Sequence, residues 1–237
     1  MMKIFFVCMF LVGLLSVSNQ AQGNNLTVAE YKSISVGGSQ IIIPPPTKEM
    51  VPLDNDNQRK FEPFIAPDSK LIASFVFIDE LPKIESNNAD IIQLLANGTV
   101  QVPLQGEFKE FSDNDFKRLI ANSQQRTDSL GSYTQIAEEE INRRIKSINR
   151  DASSVNLGDS IELGSFFSVK DAFGLGLITP VSVGGKSMLI GKGAVMIRVK
   201  DRLLFLYLST EYKNVATIDW LRYTTEEWAN SILKANN

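Results

Sequence analysis

Residues 203–208 read Leu-Leu-Phe-Leu-Tyr-Leu, and they decide the fold because this predicted strand has no polar face. Successive side chains of a strand point to opposite faces of a sheet, so the strand must be covered on both sides. Short turns connect it to the strands predicted before it, which favours antiparallel pairing. The sequence therefore predicts an α+β fold: one mostly antiparallel sheet with helices on both faces, a three-layer α/β/α sandwich.

Hydrophobic periodicity places the other elements along the chain. Strands are predicted at about 71–78, 98–103, 160–168, 173–183, 187–199 and 203–209, and helices at about 112–124, 132–149 and 217–235. Residues 31–43 are typical of a hairpin that turns at Gly37-Gly38. The first helix begins with Ser112 and Asp115 at the spacing of a capping box. Residues 54–69 are predicted to be a loop, and residues 90–96 are compatible with either a helix or a strand.

The first 21 residues are typical of a secretory signal peptide. Lys3 provides a short positive start, and the apolar run at 4–17 is too short to cross a bilayer. Cleavage is expected between Ser18 and Gly23. This predicts an exported protein, periplasmic or secreted, whose mature residues 22–237 form a single domain without a membrane span.

The composition excludes several kinds of chemistry. Cleavage would remove Cys8, the one cysteine, and the chain has no histidine, so disulfides, thiol nucleophiles and histidine-based catalysis are excluded. A net charge of −3 with both signs mixed does not favour nucleic-acid binding. No catalytic residue, metal site or cofactor is predicted. Residues 54–58 begin like a calcium loop, but Arg59 replaces the required glycine, which leaves an irregular calcium site as an alternative.

Aromatic and polar residues concentrate near the carboxyl end of the chain. They are Tyr207, Tyr212, Trp220, Arg222, Tyr223 and Trp228. Either they line a groove beside the last helix or they attach that helix to the sheet. Arg222 and Tyr223 point away from the apolar stripe of the helix, so they and Tyr212 are the candidate ligand-binding residues.

The order of elements is similar to that of the PsbP-like α/β/α sandwich domains. In both, strands and helices lead into a four-strand meander and a closing helix, and such domains occur in photosystem accessory proteins and exported bacterial proteins. The resemblance is one of layout and assigns no role to any residue. Similarity of layout does not supply a function. The lack of a nucleophile–base constellation and of a metal motif in the sequence favours an exported accessory or binding module, with a protein as the expected class of partner.

Two other functions fit the same sequence. A hydrolase or glycan-acting enzyme would need two facing Asp or Glu carboxyl groups in one cleft, and needs no histidine. A partner-recruiting protein would add a strand from its partner to an exposed edge, with the hairpin at 31–43 as the expected edge.

Overall fold

The computed structural model describes residues 31–86, 96–124, 130–148, 150 and 153–237. The predicted signal peptide and most of the open segment at 90–96 lie outside these ranges. Mixed α+β architecture with a large antiparallel sheet, as predicted, is confirmed.

The main sheet has eight antiparallel strands in the order β3-β4-β5-β10-β9-β8-β6, and β7 also pairs with β8. Its strands are β3 (Met50–Pro52), β4 (Ser69–Phe77), β5 (Ala96–Pro103), β6 (Val155–Leu157), β7 (Ile161–Val169), β8 (Ala172–Val183), β9 (Lys186–Val199) and β10 (Arg202–Glu211). Strand β10 contains residues 203–208 and lies between β5 and β9 near the middle of the sheet. This central position explains why both of its faces are apolar.

The predicted amino-terminal hairpin forms a sheet of its own. Strands β1 (Lys32–Val36) and β2 (Ser39–Ile43) turn at Gly37 and Gly38, which have φ of 53° and 84°. Glycine adopts this left-handed backbone without the clash of a Cβ atom, as the turn requires. The Asn236 side chain donates to Ile42 O at 2.7 Å and accepts from Ile42 N at 2.9 Å. It thereby occupies the outer edge of β2 at that residue.

The long helices agree with the predicted positions to within two residues. The helices are α1 (Asn55–Arg59), α2 (Leu81–Glu85), α3 (Asp113–Gln124), α4 (Leu130–Ile148) and α5 (Val215–Asn236). The capping box at the start of α3 is confirmed: Asp115 N donates to Ser112 Oγ at 3.2 Å, and Ser112 N donates to Asp115 Oδ2 at 3.3 Å. These bonds satisfy amides that a helix start leaves free.

Helix α5 and the hairpin cover one face of the sheet, called here the α5 face. A single apolar cluster joins them to the strands. Glycines let the helix approach closely: a Cβ on Gly193 would collide with Thr225, and one on Gly191 would lie 2.9 Å from Leu221 Cδ1. Gly191 and Gly193 thus leave room for α5 to pack directly against the backbone of β9.

Helices α3 and α4 cover the opposite face, which therefore completes the predicted three layers. Here the apolar contacts form two separate clusters. One includes Phe116 of α3 with Phe205 and Met196, and the other includes Ile141 of α4 with Ile190. Buried polar side chains lie between the two clusters on the strands.

The segment at 54–69 was predicted to be a loop, and this is wrong in its central part. Residues 55–59 form α1, and Glu62–Phe64 form a 3₁₀ turn. Phe61, Phe64 and Ile65 are buried in the α4 cluster, so tertiary packing orders a stretch whose composition is polar. Asp54, the first residue of the calcium-loop pattern, caps α1 by accepting from Asn57 N at 2.8 Å. Elements β3, β6 and α2 are short and had not been predicted.

Candidate functional site

Helix α5 is anchored to the sheet by Trp228. This side chain is fully buried, and its Nε1–H donates to Pro44 O at 2.8 Å. Its ring meets Phe75 edge-on, with centroids 5.8 Å apart. The donor is satisfied and the indole is enclosed, so Trp228 has the structural role that one of the two interpretations gave it.

The first turns of α5 border a cavity of about 370 Å³. It is lined by Phe77, Ala96, Thr210, Glu211, Lys213, Asn214, Ala216, Thr217 and Trp220. Phe77 and Trp220 form an apolar wall, whereas Lys213 and Asn214 are exposed beside it. Sequence reasoning missed Phe77 and Lys213, since their approach depends on the pairing of distant strands.

Trp220 and Trp228 lie on the same helix but have different environments. Eight residues of α-helix turn the chain by about 80° more than two full turns. Trp228 accordingly points into the sheet, and Trp220 is half-buried at the border where the cavity opens. Both interpretations of the aromatic residues therefore apply, one to each tryptophan.

The outward side of α5 carries an exposed aromatic residue among acids. Tyr223 is 68% exposed, although large apolar and aromatic side chains elsewhere on the helix, such as Trp228, are buried. Trp220 is three residues before it, and Asp219 and Glu227 are four residues to either side, which places all of them on one surface. We call Trp220, Tyr223, Asp219, Glu226 and Glu227 the α5 ridge.

The other predicted candidates occupy separate places. The Arg222 guanidinium is 5.2 Å from the centroid of the Phe166 ring on β7, a cation–π contact at the edge of the α5 face. Tyr212 is half-buried, and its backbone N–H donates to Leu189 O at 2.8 Å. Tyr207 lies on the opposite face of the sheet, where the Lys192 Nζ is 5.8 Å from its ring centroid. The structure thus divides the predicted cluster between the two faces.

Several described carboxyl groups outside the α5 ridge are held in ion pairs. In the cavity wall, Glu211 is 3.7 Å from Lys213. Elsewhere Asp113, Asp171 and Asp201 surround Arg198, with Asp171 Oδ1 at 2.6 Å and Asp201 Oδ1 at 3.0 Å from its guanidinium. Arg198 is desolvated, yet its bonds to Asp171 and the nearby negative charges raise its pKa overall.

Within the described ranges, no group of three or more acidic, cysteine or histidine residues is placed to hold a metal ion. Over those same ranges, no helix is long and apolar enough to cross a membrane.

Comparison with known proteins gives similarity of layout alone. No family model matches the chain, and no curated protein matches it. Among solved structures, the cyanobacterial PsbP protein (CyanoP) of Synechocystis sp. PCC 6803 is 13% identical, with 90% of this chain and 96% of that chain covered and a TM-score of 0.34. The Ran-binding protein Mog1p of Saccharomyces cerevisiae is 10% identical, with 87% and 94% covered and a TM-score of 0.31. The resemblance in element order to PsbP-like domains is confirmed, and no functional property is transferred from these proteins.

Proposed function

We propose that this protein is an exported, non-enzymatic binding or accessory module that holds a protein partner on the α5 ridge. Tyr223 supports this most directly, because its aromatic ring is 68% exposed one helix turn from Trp220 of the cavity lining. Such a ring can contribute binding energy that the fold itself does not use. Tyrosine and tryptophan supply large contact areas at little cost in side-chain entropy.

The chemistry of the ridge indicates the chemistry of the partner. Trp220 and Phe77 form the apolar wall of a cavity of about 370 Å³, which accommodates one large apolar side chain. Asp219, Glu226 and Glu227 surround Tyr223 with negative charge. A partner segment that inserts an apolar side chain and carries lysine or arginine next to it would complement both features.

The predicted ligand-binding residues take part in different ways. Tyr223 contacts the partner directly, and Arg222 borders the contact over Phe166. Tyr212 directly follows β10, two residues before Asn214 of the cavity lining, and supports the cavity from that side. The alternative of a carboxylate enzyme receives less support, since the one acid in the cavity wall, Glu211, is paired with Lys213.

The hairpin is a less favourable place for strand addition than the sequence suggested. Asn236 already bonds both backbone groups of Ile42, so the outer edge of β2 is occupied there.

Export itself rests on the predicted signal peptide, and amino-terminal sequencing of secreted or periplasmic protein tests it. A first residue between 19 and 23 is expected, whereas an intact Met1 in the cytoplasm would refute it.

Site-specific photo-crosslinking tests the binding proposal. A crosslinking amino acid at Tyr223 is expected to capture one specific protein in extracts of the source cells. The matched control is the same amino acid at Phe108, which is 78% exposed and belongs to a different part of the surface. Equal capture from both positions, or none from 223, would refute the ridge as a binding surface.

A further inference from the structure

The outer strands of the main sheet have features that discourage pairing with another chain. On one side, β3 is three residues long and includes Pro52, which has no N–H to donate. On the other side, β6 is also three residues long, and β7 shifts register twice against β8 and has Gly164 at a φ of 80°. Short strands, proline and bulges protect a sheet edge, whose unpaired backbone groups otherwise bind other strands.

Strand β2 of the amino-terminal hairpin is protected in another way, by side chains. Asn236 bonds both backbone groups of Ile42, and the Lys200 Nζ donates to Gln40 O at 2.7 Å. The backbone groups of Ile42 and Gln40 therefore point away from β1. The outer edge of β2 is closed at both residues.

Strand β1 has no such protection on its outer edge. Ser33 lies opposite Ile42, and Ser35 lies opposite Gln40. Two residues that lie opposite each other in an antiparallel pair either bond to one another or both point outward, so the backbone groups of Ser33 and Ser35 point away from β2. Both serines are exposed, and neither bonds through its backbone to another element of the described chain. Within the described ranges, β2 is the one strand that pairs with β1, and β1 contains neither a proline nor a bulge.

The sequence of β1 is complementary to a second copy of itself. An antiparallel pair of β1 strands, related by a two-fold axis at Ile34, aligns the whole of Lys32–Val36. Ser33 of each copy then lies opposite Ser35 of the other, and each such pair exchanges both of its backbone hydrogen bonds. On the opposite face of the strands, the two Ile34 side chains meet beside the apolar clusters on which they already pack.

Charge does not oppose this alignment. Lys32 would lie opposite Val36, and its Nζ already donates to Leu53 O at 3.0 Å and to Gln58 Oε1 at 2.7 Å. The two Lys32 residues would be about 13 Å apart along the strands, which exceeds the Debye length of about 8 Å at physiological ionic strength. Like charges therefore do not face each other across the axis.

We propose that the chain forms a symmetric dimer in which the β1 strands of two copies pair antiparallel. The joined hairpins make a sheet in the order β2-β1-β1-β2, and both ends of that sheet are β2 edges that Asn236 and Lys200 close. The contact is therefore complete in the dimer and does not continue into a filament. Because the contact is one short strand wide, the association is weak and depends on concentration. It uses none of the residues of the α5 ridge, so the dimer and the ridge are tested separately.

Sedimentation of the mature chain over a concentration series from about 1 μM to about 1 mM measures the association. We expect the weight-average mass to rise from that of one chain towards that of two. Hydrogen exchange at the backbone amides of Ser33 and Ser35 is expected to slow over the same series, because these amides are bonded only in the dimer. The amide of Ile42, which Asn236 bonds, should exchange at one rate throughout.

A pair of double variants tests the alignment. Ser33→Glu with Ser35→Glu places like charges opposite each other across the axis, so the Kd of the dimer is expected to rise at least about tenfold. Ser33→Glu with Ser35→Lys is the matched control, because it places opposite charges at the same positions and should keep the Kd at or below that of the wild type. Both variants alter the same two exposed side chains, so the single chain should have the same Tm in each.

Three results would overturn the proposal. The first is a mass that stays at that of one chain over the whole concentration series. The second is a dimer with the same Kd in both double variants, which would place the contact on a different surface. The third is slow exchange of the Ser33 and Ser35 amides at every concentration, which would show that another segment of the same chain covers β1.

Discussion

Replacement of Gly193 by alanine tests how closely α5 packs on the sheet. The new Cβ would fall well inside the contact distance of Thr225 Oγ1 and lie 3.0 Å from Thr225 Cγ2. Thr225 is fully buried, and Leu221 and Trp228 fix the helix on either side of it. The helix cannot move away without breaking the contacts of Leu221 and Trp228 with the sheet. We therefore expect the free energy of unfolding to fall by about 3 kcal/mol, the upper end for an overpacked core.

Thermal and urea denaturation of wild type and Gly193→Ala measure this loss. For a chain of this size, about 3 kcal/mol lowers Tm by about 6–12 °C. Thr225→Ala removes Oγ1 and Cγ2 and leaves the Thr225 Cβ 3.2 Å from the new atom. The double variant of Gly193→Ala and Thr225→Ala should therefore be about 2 kcal/mol more stable than the sum of the two single losses predicts.

Gly164→Ala is the matched control for this cycle. A Cβ there meets nothing within 4 Å, but its φ of 80° strains a side chain, so it should cost about 1 kcal/mol. In a double variant with Thr225→Ala, the two losses of stability should be additive, because a Cβ on Gly164 does not contact Thr225. If Gly193→Ala also proves additive with Thr225→Ala, or is neutral alone, the close packing of α5 on Gly193 is refuted.

Three further substitutions test other contacts. Hydrogen bonds from Arg143 and Arg144 lower the pKa of Glu140 to about 2, so these two ion pairs together stabilise the protein above pH 4.5, by about 1 kcal/mol after solvent screening. The benefit is lost as pH falls towards 2, so acid-unfolding curves of wild type and Glu140→Gln should converge there, and a gap that is constant with pH would contradict this. Arg198→Met removes the partner of Asp171 and Asp201, whereas Asp113 keeps Lys170, and it should cost about 2 kcal/mol in urea denaturation. A loss under about 1 kcal/mol would show that the network is dispensable. Trp228→Phe removes the bond to Pro44 O and should cost about 2 kcal/mol by the same assay, and no change would rule out an anchoring role.

Local patterns were sufficient to predict most of the framework. Residues 203–208 required cover on both faces, and the capping box at Ser112 located the start of α3. Both signals reside within a few consecutive residues. The packing of residues 61–65 was missed because their burial depends on contacts with α4, far along the chain.

The burial of polar side chains on β5 was harder to predict, for the same physical reason. Asn97, Thr99 and Gln101 alternate with small and apolar residues, a pattern typical of a strand with one face in water. They are buried because β5 pairs with β4 and β10 inside the sheet, and this pairing cannot be read from β5 alone. Tyr223, by contrast, was correctly expected to be exposed, since its helix periodicity places it off the apolar stripe.

The most direct test of the binding function is the affinity of the protein captured through position 223 for purified variants of this chain. We expect Tyr223→Ala to weaken that affinity at least about tenfold, as loss of an aromatic contact residue does, and Phe108→Ala to leave it unchanged. Equal affinities for wild type, Tyr223→Ala and Phe108→Ala would contradict binding at the α5 ridge.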